Sequence, residues 1–107
     1  MPDNPRFALY ESKYTVEIAN KMNEEKNFVA DVAGRCCESG DIIAENIKMP
    51  KPQRGDILAV LTTGAYNYSM ASHYNRIPKP PVVMIKDKED RIVVKRETVE
   101  DICRLDV

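Results

Sequence analysis

Between Gly34 and Asp41 the chain reads Gly-Arg-Cys-Cys-Glu-Ser-Gly-Asp, placing two thiols, two acids, a hydroxyl and two glycines within eight residues. A thiol beside a carboxylate is a poor thiolate, because the negative neighbour disfavours a second negative charge. Cys37, followed by Glu38, therefore suits a neutral thiol that donates a proton better than a resting nucleophile. The plain alternative is a polar turn with incidental cysteines. A second stretch, Gly64-Ala65-Tyr66-Asn67-Tyr68-Ser69-Met70, follows the most apolar segment of the chain. A tyrosine at such a strand end offers both a hydrogen bond and a stacking face, although Tyr66, Tyr68 and Met70 could equally close one end of a core. The third stretch is Asp3-Asn4-Pro5-Arg6-Phe7-Ala8-Leu9-Tyr10. An arginine in a proline-stiffened segment can present its planar fork to a carboxylate, or sit in a solvated pair of little energetic weight. The single histidine, His73, reads as an ordinary loop side chain.

What is missing narrows the chemistry further. The four glycines, Gly34, Gly40, Gly55 and Gly64, stand too far apart to cradle a phosphate. None of the lysines lies in an apolar run of the kind that lowers an amine's proton affinity. Cys36, Cys37 and Cys103 include no C-x-x-C pair, and adjacent cysteines bond each other only through a strained ring, so reduced thiols and no metal site are expected. Sixteen basic against seventeen acidic residues, a net charge of -1, provide no general basic field for nucleic acid or an anionic membrane. No apolar run approaches the roughly 20 residues that span a bilayer, and the opening lacks a basic end before an apolar stretch. A cytoplasmic protein, binding neither nucleic acid nor membrane, is the expectation. The three stretches together resemble half of an active site, without a cofactor anchor.

The elements that must position these groups are short strands. Residues 14–19 alternate Tyr14, Val16 and Ile18 on one face; 28–32 form a second strand and 41–44 a short third. Residues 48–55 carry Pro50, Pro52 and Gly55, which is turn chemistry. Residues 56–63, apolar on both faces in the middle, predict a central strand. A helical turn or folded loop is expected over 64–74, and the proline-dense 76–81 excludes regular structure. Residues 82–85 and 91–94 predict a hairpin about a charged turn at 86–90. Thr98 caps a terminal helix with Val99, Ile102 and Leu105 on one face. At 107 residues this is one mainly β domain, a sandwich or partly open Greek-key-like barrel, with a loop-helix after the central strand and a C-terminal helix.

In order and spacing, several motifs resemble the C-terminal domain of the diaminopimelate decarboxylase family: DNPR at 3–6 with ALY at 8–10, GRCCESGD at 34–41, GD at 55–56, GAYNYSM at 64–70, SHYN at 72–75 and RET at 96–98. The resemblance covers essentially the whole chain. It implies a pyridoxal 5′-phosphate enzyme of the alanine racemase-like fold, whose α/β barrel and anchoring lysine would lie upstream of this chain. The missing barrel, a homodimer with shared active sites and a small-molecule substrate are the partners it implies. When an amino acid loses carbon dioxide, the cofactor's pyridine ring absorbs the electron pair left on carbon, and a proton must then return. By resemblance Cys37, directly before the glutamate, supplies that proton in the partner's site. Glu38 would pair with the distal ammonium of the substrate, Arg6 and Tyr10 would hold its distal carboxylate, and Tyr66 would contact cofactor phosphate or substrate. Phe7 stands where the family usually has proline, Asn67 where glycine is common, and His73 where asparagine is common.

Having both Glu38 and Arg6 suits a two-headed amino acid such as meso-2,6-diaminopimelate, which would become L-lysine. Ornithine, arginine or lysine would leave Arg6 without a carboxylate. A related decarboxylase of one of those basic amino acids and a non-catalytic β module for binding or assembly are the competing readings.

Overall fold

The structure is a computed structural model and describes residues 2–107. Asp3–Met70 and Ala71–Val107 form two compact units.

In the first unit, Pro5 leads into a five-residue helix, α1 (Arg6–Tyr10), which ends where Glu11 enters the left-handed region at φ 57°. Strand β1 (Val16–Ile18) follows, then β2 (Phe28–Ala33), β3 (Ile42–Met49), β4 (Leu58–Val60) and the single-turn helix α2 (Asn67–Met70). All pairings are antiparallel: β1 with β4, Val16 facing Val60 and Ile18 facing Leu58, and β2 with β3, Phe28 facing Met49 and Ala33 facing Ile42. The expected alternation holds in β1. Tyr14, Val16 and Ile18 point inward and join Val32, Ile43, Ala44 and Met49 in one core, with Ile18 fully buried. A polar staple ties the end of β1 to the start of β4. Asn20 donates to Asp56 Oδ1 at 2.8 Å, and Lys21 Nζ and the Gln53 N–H each reach Asp56 Oδ2 at 2.7 Å. The Ile57 N–H returns a bond to Asn20 Oδ1 at 2.9 Å.

The second unit carries a 3-10 turn at Tyr74–Arg76, the hairpin β5 (Val82–Lys86) and β6 (Glu89–Val94), and helix α3 (Val99–Cys103). Thr98 and Asp101 exchange side-chain and backbone hydrogen bonds in a capping box that starts α3.

The mainly β class, the loop-helix after β4 and the capped terminal helix agree with expectation. Helix α1 was not expected, and β3 runs to Met49 where a short strand over 41–44 was expected. Three further details differ. The described strands form three two-stranded ribbons in place of a closed barrel. Strand β4, expected to be central, pairs with β1 alone and leaves Ile57, Leu58 and Leu61 exposed. Apolarity on both faces predicts burial on both faces, yet no further described strand covers β4. The hairpin turn also contracts from the expected 86–90 to Asp87-Lys88, both at positive φ (54° and 68°), with Lys86 facing Glu89. Two consecutive left-handed residues match the right-handed twist of the flanking strands, which is why the two-residue connection wins.

Candidate functional site

Arg6 opens α1, and helical spacing places Tyr10 on the same face one turn later. Arg6 Nε donates to the Tyr10 hydroxyl, which in turn donates to the Met70 sulfur at 3.8 Å. The guanidinium also lies against three aromatic rings, 5.4 Å from the centroid of Tyr10, 5.9 Å from Tyr14 and 5.6 Å from Tyr66. Ring faces attract a cation electrostatically, and the fork remains free to bind an anion beyond them. The hydrogen bond with Tyr10 raises the Arg6 pKa further above its ordinary value.

Tyr66 is held from its backbone. It sits at φ 69°, a costly conformation for an aromatic residue. Its carbonyl accepts from the Met70 N–H and the Ser69 hydroxyl, both at 2.9 Å. The next residue, Asn67, is buried and accepts a hydrogen bond from the Tyr14 hydroxyl at 3.3 Å. The Tyr66 side chain itself is 67% exposed, so its phenol faces outward. The sequence placed Tyr14 only on a strand face with Val16 and Ile18, and Asn67 only at a loop position where glycine is common. The structure makes both part of the frame that brings Tyr66 to Arg6. The available signal was Asn67 itself, an amide where glycine is common, which needs a partner once buried.

The thiol-bearing loop joins β2 to β3. Its ends close through the Gly34 N–H, which donates to the Asp41 carbonyl at 2.7 Å. At the tip, the Glu38 N–H donates to the Cys36 carbonyl at 2.9 Å, a three-residue turn with Cys37 at its centre. Cys37 is exposed and forms no disulfide. The Glu38 carboxylate folds toward Gly40, where an added Cβ would lie 3.3 Å from Glu38 Oε1 and 3.9 Å from the Ala8 Cβ of α1. Helix α1 is thus the common neighbour: its Arg6 and Tyr10 meet Tyr66 and Met70, while Ala8 meets the loop that carries Cys37 and Glu38. Of the five residues predicted to act, Arg6 lies against both Tyr10 and Tyr66, and the Glu38 carboxylate lies beside Gly40 of its own loop. Cys37 stands at a loop apex open to solvent. His73, expected to be inert, pairs in the second unit with Glu97 Oε2 at 2.6 Å.

Residues 1–64 match the family of pyridoxal-dependent decarboxylases at its C-terminal sheet domain. This chain belongs to that family. Along its full length it is 51% identical to a diaminopimelate decarboxylase of Bacillus subtilis, and over 95% of its length it is 48% identical to one of Staphylococcus aureus. In each case it spans 24% of the relative's length, about a quarter. Among solved structures, diaminopimelate decarboxylase from Helicobacter pylori complexed with L-lysine superposes with a TM-score of 0.88 at 35% identity, over 98% of this chain and 26% of that one. The enzyme from M. jannaschi superposes with a TM-score of 0.89 at 33% identity, over 100% of this chain and 24% of that one. The β-rich C-terminal sheet domain is therefore shared with these relatives. Among the described residues no helix is long and apolar enough to cross a membrane.

Proposed function

We propose that the chain is the C-terminal domain of a diaminopimelate decarboxylase, 1-107 acting as one β-rich unit of a longer enzyme that converts meso-2,6-diaminopimelate to L-lysine and carbon dioxide for lysine biosynthesis in the cytoplasm. The observation that carries this reading is the gathering of Arg6, Tyr10, Tyr66 and the loop bearing Cys37 and Glu38 around one short helix. Relatives named for that reaction, each about four times as long, support an upstream barrel domain.

The residues fit a supporting role toward pyridoxal 5′-phosphate. Tyr66 offers an exposed phenol for the phosphate or the substrate, while the anchoring lysine and a phosphate-cradling loop belong to the upstream domain. When bound, the cofactor supplies an electron sink for the bond to the departing carboxylate. Recognition of the distal end of the substrate and return of the proton fall to side chains of this chain. Arg6, oriented by its hydrogen bond to Tyr10, binds the distal carboxylate of the substrate through its fork. Glu38 pairs with the distal ammonium. A substrate with only an ammonium at that end leaves Arg6 unmatched, which is a penalty against ornithine or lysine. Cys37 gives its Sγ proton to the carbon that has lost carbon dioxide, and solvent restores the thiol. Its exposed position at a loop apex suits delivery into the site of a partner subunit, and hence a homodimer.

The test is carbon dioxide release from meso-diaminopimelate with added pyridoxal phosphate, using this chain alone and joined to its native upstream sequence. Activity only in the joined protein, lost by roughly 100-fold or more in Cys37→Ala, is the expected result. Absence of activity on diaminopimelate, ornithine and lysine in the joined protein would sink the decarboxylase reading.

A further inference from the structure

Asp41 is 3% exposed and lies directly beneath the Cys36-Cys37-Glu38 turn. Its Oδ2 accepts the Cys36 N–H at 2.6 Å. A buried carboxylate is tolerated only where hydrogen-bond donors meet it, so the loop must wrap its donors around this one. The opposite end of the loop is shaped to the same group. A Cβ added at Gly34 would fall 2.2 Å from Asp41 Oδ2 and 2.4 Å from Oδ1, closer than any atom can sit. Gly34 therefore serves close approach, and its N–H closes the loop on the Asp41 carbonyl at 2.7 Å. From Cys36 the order passes on: its N–H is held by Asp41, and its carbonyl accepts the Glu38 N–H at 2.9 Å. The residue between those two anchored peptides is Cys37.

We propose that Asp41 is the positioning residue of the proton-donating loop, with Gly34 as the gap that admits its carboxylate and Cys36 as the link that transmits its hold to Cys37. The inference rests on the reading of Cys37 as proton donor. It gives Cys36, which has no part in the reaction, a physical role. Asp41 touches neither substrate nor cofactor in this scheme. It acts by limiting where the Cys37 sulfur can be, and a misplacement of about 1 Å at a reacting group can cost on the order of 100-fold in rate.

The experiment uses the decarboxylase with its native upstream sequence and measures kcat and KM for meso-diaminopimelate in Asp41→Ala, Asp41→Asn, Cys37→Ala and the double variant Asp41→Ala/Cys37→Ala. Asp41→Ala is expected to lower kcat about 10- to 100-fold with a smaller rise in KM, because the proton transfer is displaced and Glu38 on the same loop loosens while Arg6 and Tyr10 on α1 still bind the substrate. Asp41→Asn keeps an oxygen for the Cys36 N–H and is expected to recover kcat to within about threefold of the parent. In the Cys37→Ala background the Asp41→Ala change is expected to lower kcat by less than about twofold, since groups acting as a unit do not multiply. Gly34→Ala, which displaces the carboxylate while keeping it, repeats the test if Asp41→Ala does not fold. An Asp41 or Gly34 effect that multiplies fully with Cys37→Ala, or falls on KM alone, overturns the proposal while leaving the decarboxylase reading intact. A parent enzyme that releases no carbon dioxide overturns both. A parent that is active yet indifferent to Cys37→Ala removes the proton-donor assignment and this inference with it.

Discussion

The two units of the chain hold together by different means. Asp3–Met70 contains every buried apolar residue of the core, from Tyr14 to Met49, and all five residues proposed to act. Ala71–Val107 has no residue in that core; Ile85 and Ile92 of its hairpin are 77% and 61% exposed. Its order comes from hydrogen bonds and ion pairs in place of a buried core: a two-residue turn, the Thr98–Asp101 capping box, the Arg76–Asp106 pair and the His73–Glu97 contact, with Glu97 also accepting from the Lys79 N–H at 2.9 Å. Local hydrogen bonds and exposed ion pairs each contribute about 1 kcal/mol or less, whereas a buried aliphatic side chain contributes several times that. The residues proposed to act thus all lie in the unit with a core, where burial limits motion.

That contrast can be broken most directly at the core. Ile18→Ala should destabilise the first unit by about 2–5 kcal/mol, while Ile92→Ala in the hairpin should change stability by no more than about 0.5 kcal/mol. Denaturant titration of the purified chain compares them, and equal losses would show that the second unit is packed as tightly as the first. The next largest effect concerns function. Arg6→Ala in the full-length enzyme should cost roughly 100-fold in kcat/KM for meso-diaminopimelate, because charged hydrogen bonds are lost, and little for ornithine. Steady-state assays of both substrates decide it, and a uniform loss would remove Arg6 from substrate selection.

A smaller effect sharpens the picture of the frame. Tyr14→Phe deletes the hydroxyl that reaches Asn67 and leaves a buried amide acceptor unmatched, for a loss of about 1–2 kcal/mol of stability. Asn67→Gly combined with Tyr14→Phe should recover part of that loss, which thermal melts of the two variants can compare. The smallest effect is a pH dependence. Hydrogen bonds from Lys21, then Asn20 and the Gln53 backbone, bring the Asp56 carboxyl from 3.8 down to about 2. A depressed carboxyl stabilises the fold above its unfolded value, so the contribution is complete above pH 3.8 and is lost as pH falls toward about 2. Acid unfolding of Asp56→Asn should lack that step. In the second unit the Glu97 carboxyl is also lowered, first by the Lys79 N–H and then by His73, so Glu97→Gln should remove a separate acid-induced loss of hairpin order.

Much of this was legible along the chain. Tyr14, Val16 and Ile18 alternate as a strand with one buried face must, and Thr98 followed by Asp101 is a helix start at any position in a protein. The motifs at 3–10, 34–41 and 64–70 were visible as clusters of reactive types in loops. Strand β4 was misplaced because an apolar run reports how much burial a segment favours, and says nothing of how many neighbours it finds. Tyr14 was read for its period alone, since a tyrosine on a strand face looks the same whether its hydroxyl has a partner or not. The Gly34–Asp41 pair was in plain view as the two ends of one motif. What it lacked was a distance.

Residue types, spacing and local propensity by themselves determined the chemistry available to this protein: a thiol beside a carboxylate, an arginine four positions before a tyrosine, and strands too short to stand alone. Those properties depend on neighbours within a few positions, so they are written in the order of the residues. Only the tertiary structure decided that Tyr66 would reach Arg6 across sixty positions, that Asn67 would be buried against Tyr14, and that the Asp41 carboxylate would fill the space left by Gly34. Such meetings are settled by close packing, where the absence of one methyl group or the burial of one amide selects among arrangements that the sequence alone leaves equal.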